Sequence, residues 1–220
     1  MTTTIHIDKK ILEKNELAAE RLRRRFAAQN TVVVNLMSSP GAGKTTLLEK
    51  TIKSISAVKK TGVIEGDIAT DADARRMEAA GAQWVVQINT GGVCHLDSSM
   101  VEKAVAVMPD GMELLIIENV GNLVCPSGFD LGDDHKIIVA SITEGLDKPK
   151  KYPGMYRKSH AMALNKVDLA PYVNVDPEMF VKEALEVNGN LKVFKISATA
   201  GTGLDEFCAW IVGLKKRGDG

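Results

Sequence analysis

Two short strings in this chain carry residue types suited to binding one nucleotide. The first, Ser38-Ser39-Pro40-Gly41-Ala42-Gly43-Lys44-Thr45, is a glycine-containing run that ends in Lys-Thr. Such a run wraps backbone amides around a phosphate chain, its lysine reaching the β- and γ-phosphates and its threonine reaching Mg²⁺. Gly41, Ala42, Gly43, Lys44, Thr45 and Thr46 are therefore the expected phosphate contacts, although Ser38 stands where the usual pattern opens with glycine. The second string, Asn165-Lys166-Val167-Asp168, adds base identity. A carboxylate at Asp168 accepts two hydrogen bonds from the N1 and N2 donors of guanine, a pair adenine lacks, so GTP is expected and ATP disfavoured. Asn165 is expected on the purine edge and the Lys166 stem over the ring. Ser197 and Ala198 fall where a third base-contacting loop belongs.

Hydrolysis needs more than binding. Glu118-Asn119-Val120-Gly121 ends a strand-like run, the place for a carboxylate on Mg²⁺-bound water and a glycine amide on the γ-phosphate. The usual carboxylate there is Asp, and Glu118 is longer by one methylene. Of the two upstream candidates for the other Mg²⁺ carboxylate, Asp67 is preferred to Asp73 because it directly follows a strand-like run. The expected catalytic set is thus Lys44, Thr45, Asp67, Glu118 and Gly121, with Thr45, Asp67 and Glu118 around Mg²⁺. Where a water-orienting Gln commonly follows the glycine, Asn122 has a shorter reach, so slow intrinsic hydrolysis is expected.

A third constellation is thiol and imidazole. Cys94-His95 follows a strand end and a Gly-containing loop, and Cys125 lies four residues beyond Gly121. These are borderline-to-soft ligands suited to Zn²⁺ or Ni²⁺. Adjacent side chains of a regular strand point to opposite faces, so Cys94 and His95 share one ion only in loop geometry and otherwise serve different ions. Three ligands leave a fourth position open to water, a partner, or a symmetry-related copy. From spacing alone, two partly buried thiols and a surface His explain the residues equally well. Cys208, between Phe207 and Trp210, reads as core, and His6, His135 and His160 stand apart from any ligand cluster.

The elements that must position these groups alternate. Strand-like runs fall at residues 32–36, 62–65, 84–88, 114–118, 137–141, 161–165 and 192–196, and helix-like ones at 46–58, 71–80, 96–108, 176–187 and 204–215. That pattern implies an α/β fold, a mostly parallel sheet with helices on both faces and ligands at the strands' carboxyl ends. Ahead of it, Ile11, Leu12, Asn15, Ala18, Leu22 and Phe26 recur at helical spacing opposite Arg21, Arg23, Arg24 and Arg25. This amphipathic helix is expected to pack on its own body with its charges solvated rather than to serve as a docking arm. The division expected is a helical extension, residues 1–30, and one domain, residues 31–220.

Composition narrows the partners. Among 220 residues, 28 basic and 28 acidic side chains balance, so no global field recruits nucleic acid or an anionic membrane. No apolar stretch approaches the roughly 20 residues of a spanning helix, and the start of the chain has no signal-peptide core. A cytoplasmic location is expected. Three cysteines argue against a disulfide framework.

Taken together, the phosphate loop, Glu-Gly-Asp-Ile from Glu65 to Ile68, Thr-Gly-Gly-Val-Cys-His-Leu-Asp from Thr90 to Asp97, Glu-Asn-Val-Gly-Asn-Leu-Val-Cys-Pro from Glu118 to Pro126, and Asn-Lys-Val-Asp-Leu resemble the HypB family, GTPases that help insert nickel into [NiFe]-hydrogenase. The resemblance implies a P-loop NTPase fold of the SIMIBI-like GTPase type, GTP/GDP and Mg²⁺ as ligands, and a homodimer that forms in response to nucleotide. It carries Ni²⁺ or Zn²⁺ binding onto Cys94, His95 and Cys125. Implied partners are a HypA-type metallochaperone and the hydrogenase large-subunit precursor. The N-terminal cysteine motif and histidine tract of many members are not found in residues 1–30. Alternatives are the related urease nickel-insertion GTPase, which the Cys-His pair and Cys125-Pro126 match less well, and a P-loop kinase with a small acceptor, which the guanine-reading string disfavours. Leu169, Tyr172 and Val173 follow that string and would extend a dimer surface or pack as an ordinary loop.

Overall fold

The computed structural model describes residues 7–67 and 72–217, with side chains of the first helix from residue 11 onward. The expectations for His6, for Ile68 and for a helix beginning at Asp71 lie outside the described residues. In chain order the elements are α1 (Ile7–Ala28), β1 (Val32–Ser38), α2 (Lys44–Ile55), β2 (Thr61–Asp67), α3 (Ala72–Ala80), β3 (Trp84–Asn89), α4 (Ser98–Val105) and β4 (Leu114–Glu118). There follow β5 (His135–Ser141), α5 (Lys148–Lys151), α6 (Pro153–Lys158), β6 (Ala161–Asn165), α7 (Pro177–Val187), β7 (Lys192–Lys195) and α8 (Leu204–Val212).

The strands form one parallel sheet in the order β3-β2-β4-β1-β5-β6-β7. From β1 the chain travels to β2 and β3 on one side, returns to β4, then crosses to β5 on the other. The connections after β1 and β4 therefore diverge and leave a crevice at their carboxyl ends, where open α/β sheets bind ligands.

Strand alternation assigns the core. Val32, Val34 and Leu36 of β1 pack with Leu47, Leu48 and Ile52 of α2 and Phe207 and Ile211 of α8, while Val33 joins Leu22 and Phe26 of α1 and Val101 of α4 on the other face. Farther along that second face, Tyr156 of α6 and Phe180 of α7 close over Ile138 and Met162. Helices thus cover both faces, as the apolar strand runs require.

All seven expected strands are found, with ends shifted by a residue or two. The helices are shorter than their apolar patterns: Asp97 caps α4 by accepting from the Met100 amide, so Leu96 lies outside it. The short α5 and α6, in a Lys- and Pro-rich stretch, have too few turns to show a helical period.

On α1, Asn15, Ala18, Leu22 and Phe26 are buried as expected, but Ile11 and Leu12 are 50% and 42% exposed. The reason is length. At about 1.5 Å per residue, the 22 residues of α1 overrun the eight of α4 against which it packs. Two of its arginines reach that body: Arg21 pairs with Glu102 at 2.7 Å and Arg23 with Asp130 at 2.8 Å. At the far edge of the sheet, β7 is short and exposes Lys192 and Lys195 on either side of Val193 and Phe194.

Candidate nucleotide site and Cys-His-Cys centre

The turn between β1 and α2 is made by Gly41 and Gly43 in left-handed conformations, φ +75° and +87°. It opens onto a cavity of about 430 Å³ lined by residues 38–46 with Glu65, Gly66, Asp67, Asp73, Arg76, Glu118, Val120 and Gly121. The structure therefore gathers Lys44, Thr45, Asp67, Glu118 and Gly121 around one space. The Lys44 ammonium pairs with Glu118 Oε1 at 2.5 Å, and the Thr45 hydroxyl donates to the same oxygen at 2.7 Å. Gly121 comes so close to the loop that an added Cβ would lie 3.2 Å from Pro40 Cα.

The carboxylates fit a hard cation. Glu65 and Glu118 are paired in register on β2 and β4, both 2% exposed, and Glu65 Oε1 and Glu118 Oε2 are buried without hydrogen-bond partners. Burial, then the neighbouring Glu118 charge, pushes the Glu65 carboxyl up to about 10, against the opposing pull of Lys44. Oxygen ligands of this kind suit Mg²⁺. Asp67 and Asp73 both line the cavity, and Asp73 lies 3.3 Å from the Thr45 hydroxyl. Sequence reasoning gave Glu65 and Arg76 no role. The signal for Glu65 in the sequence is a carboxylate directly after the apolar pair Val63-Ile64, while its place beside Glu118 comes from the pairing of β2 with β4. Arg76, which bonds Asp73, Thr46 and Glu49, has no motif to mark it.

The residues expected to contact the base, Asn165, Lys166, Asp168, Ser197 and Ala198, do not line this cavity. Asn165, expected on the purine edge, is 2% exposed. Its Nδ2 donates to Ala42 O at 2.9 Å and its Oδ1 accepts from the Ala198 amide at 3.1 Å, so it clasps the phosphate loop to the third loop. Lys166 adopts φ +61° and donates to Gly41 O at 2.7 Å. Asp168 stands exposed in the 3-10 turn Val167–Tyr172, and Ser197 is buried beside Ala198.

Asn122 is turned from the cavity. Its Oδ1 accepts from the amides of Val124 and Cys125 at 2.7 and 3.3 Å, and its Nδ2 lies 3.7 Å from Cys125 Sγ. It holds the start of the turn Cys125–Gly128.

That turn completes a cluster. One donor atom from each of Cys94, His95 and Cys125 lies within 4.8 Å of the others, with Cys94 Sγ 2.9 Å from Cys125 Sγ and 3.8 Å from His95 Nδ1. Loop geometry thus brings the adjacent Cys94 and His95 into one cluster with Cys125. Gly91 and Gly92, φ +61° and +99°, bend the chain ahead of them. The His95 ring stacks on Phe129 with centroids 3.9 Å apart. Burial lowers the His95 pKa, favouring the neutral ring that binds metals; the hydrogen bond to Cys94, then burial, raises the Cys125 thiol. Two sulfurs and a nitrogen suit Zn²⁺ or Ni²⁺. Cys208, on α8, is buried in the core, as expected.

A parallel sheet with a glycine-bent loop between its central strand and a helix, and lysine and threonine opening that helix, defines a P-loop nucleotide-binding protein. The CobW/HypB/UreG nucleotide-binding domain family matches residues 32–195. The hydrogenase maturation factor HypB of Escherichia coli (strain K12) is 49% identical over 208 residues, spanning 94% of this chain and 71% of that protein. The crystal structure of hydrogenase maturation factor HypB from Archaeoglobus fulgidus matches with a TM-score of 0.86 at 36% identity, covering 92% of this chain and 98% of that one. That of HypB from Helicobacter pylori in complex with nickel gives 0.85 at 35%, covering 91% and 94%. The chain belongs to the HypB family.

Proposed function

We propose that this protein is a slow GTPase and metallochaperone that supports nickel insertion into [NiFe]-hydrogenase, its nucleotide state coupled to dimerisation and to metal held by Cys94, His95 and Cys125. Residues 31–220 act as the GTPase domain and residues 1–30 as its extension, in the cytoplasm. One observation carries the reading. The segment from Glu118 to Cys125 has its first residue bonded to Lys44 and Thr45 and its last within 2.9 Å of Cys94.

Thr45, Glu118 and Asp67, with Glu65 and Asp73 beside them, would hold Mg²⁺. Bound there, the ion would supply positive charge against the phosphate oxygens. Lys44 neutralises the same phosphates, Asp168 selects guanine, and the Gly121 amide meets the γ-phosphate. Docking Gly121 shifts Cys125 relative to Cys94 and His95, which changes the grip on the cargo ion. Tyr172, 84% exposed beside the guanine-reading turn, supports Leu169, Tyr172 and Val173 as a dimer surface. A HypA-type metallochaperone and the hydrogenase large-subunit precursor are the partners proposed.

Ni²⁺ and Zn²⁺ titrations of the GDP form and of the form loaded with a non-hydrolysable GTP analogue test the coupling. Linkage is reciprocal, and couplings of about 1 to 3 kcal/mol predict affinities differing roughly 5- to 150-fold. Identical isotherms and identical oligomeric states in the two forms would defeat the reading.

A further inference from the structure

Asn119 follows Glu118, yet it neither lines the phosphate cavity nor belongs to the thiol-imidazole cluster. It is fully buried. Its backbone amide donates to Leu36 O on β1 at 2.9 Å. Its Oδ1 accepts from the amides of Val120 at 3.0 Å and Leu96 at 3.1 Å, and its Nδ2 donates to Asn35 Oδ1 at 3.3 Å. Asn35 passes the chain on, its Nδ2 lying 3.4 Å from Asp133 Oδ1. Asp133 also accepts from the Leu131 amide at 3.2 Å and pairs with Lys136 at 2.6 Å.

The two ends of this buried chain bond backbone close in sequence to His95 and to its stacking partner Phe129. Leu96 is the next residue after His95, so the bond to Asn119 fixes the backbone that carries the imidazole. Leu131 lies two residues beyond Phe129, whose ring stacks on that imidazole. The Leu96 side chain is itself fully buried against Gly66, where an added Cβ would lie 2.8 Å from Leu96 Cδ1. The Leu96 side chain is therefore closely packed, and the hydrogen bond from the Leu96 amide to Asn119 links it to the segment after Glu118. A buried amide deprived of its acceptor loses more than a hydrogen bond is worth, so the Leu96 amide must follow Asn119 when the segment carrying Glu118 moves.

We infer that Asn119 is a positioning residue for His95, carrying movement of the Glu118–Gly121 segment to the imidazole while the Asn122 turn carries it to Cys125. The inference rests on the nucleotide–metal coupling proposed above. It adds that the histidine ligand has its own route to the nucleotide, independent of the loop that bears the cysteine.

The test compares wild type with Asn119→Ala, each loaded with GDP or a non-hydrolysable GTP analogue and titrated with Ni²⁺. Wild type should show the roughly 5- to 150-fold affinity ratio between nucleotide states, and the variant a smaller ratio, reduced to the share that the Cys125 route carries. A variant ratio equal to that of wild type overturns the inference and leaves the coupling standing. A wild-type ratio of one overturns both. Should the variant not fold, amide hydrogen exchange at Leu96 in wild type decides. Its rate should change at least about fivefold between nucleotide states, matching the lower end of the coupling, and equal rates overturn the inference.

Discussion

A methyl group added at Gly43 would meet the Asn165 amide nitrogen at 2.6 Å, and the φ of +87° already strains any side chain. Gly43→Ala should therefore weaken guanine-nucleotide binding and destabilise the fold by about 1 kcal/mol or more, read by nucleotide titration and thermal unfolding. Asn122 leads to a rate. With its side chain committed to the Cys125 turn, turnover should fall well below a typical enzyme median of about 10 s⁻¹, measured as phosphate release. His160 yields a pH effect. Burial, then His135, holds its pKa below 6.5, and its Nδ1 accepts from the Lys136 amide at 2.9 Å. As pH falls, the unfolded chain takes up this proton first, so stability is unaffected well above 6.5 and declines as pH drops through that value. The slope is limited to about 1.4 kcal/mol per pH unit and is smaller for a partly exposed ring. His160→Asn, which keeps an acceptor in place of Nδ1, should flatten it in urea titrations at pH 7.5 and 5.5.

Among the elements, α1 lends itself to the clearest test. Phe26 is fully buried against the face that also takes Val101 and Leu131, so Phe26→Ala should cost about 3 to 5 kcal/mol in chemical unfolding. Ile11→Ala, on the overrunning turns, should cost less than about 0.5 kcal/mol. Sequence periodicity alone treats these two positions alike. The strands were legible because buried parallel strands are nearly continuous apolar runs, as in Val32-Val33-Val34 and Leu114-Leu115-Ile116-Ile117. Helix ends were less so, since Asp97 stops the apolar period of α4 from extending back to Leu96.

At the scale of the whole molecule, the site was legible wherever a motif is contiguous, as from Ser38 to Thr45. It was illegible wherever folding supplies the neighbour. The spacing of Cys94 and Cys125 does not reveal that β2 alone separates the strands feeding their loops. Nor does the motif Asn165 to Asp168 reveal that its first residue clasps Ala42. Cys125→Ala should reduce the difference in Ni²⁺ affinity between nucleotide states from the expected roughly 5-fold or more, leaving the share carried through His95, while GDP affinity stays within about twofold.

The edge strand β7 reads Lys-Val-Phe-Lys, with both lysines exposed. Every parallel sheet ends in unpaired amides and carbonyls that invite another chain, and charges flanking a short edge discourage that invitation. For a protein proposed to meet its own copy only on a nucleotide signal, the edge works as a safeguard against unscheduled pairing. Replacing Lys192 and Lys195 by Val should leave the monomer folded yet raise light scattering on concentration, whatever nucleotide is present.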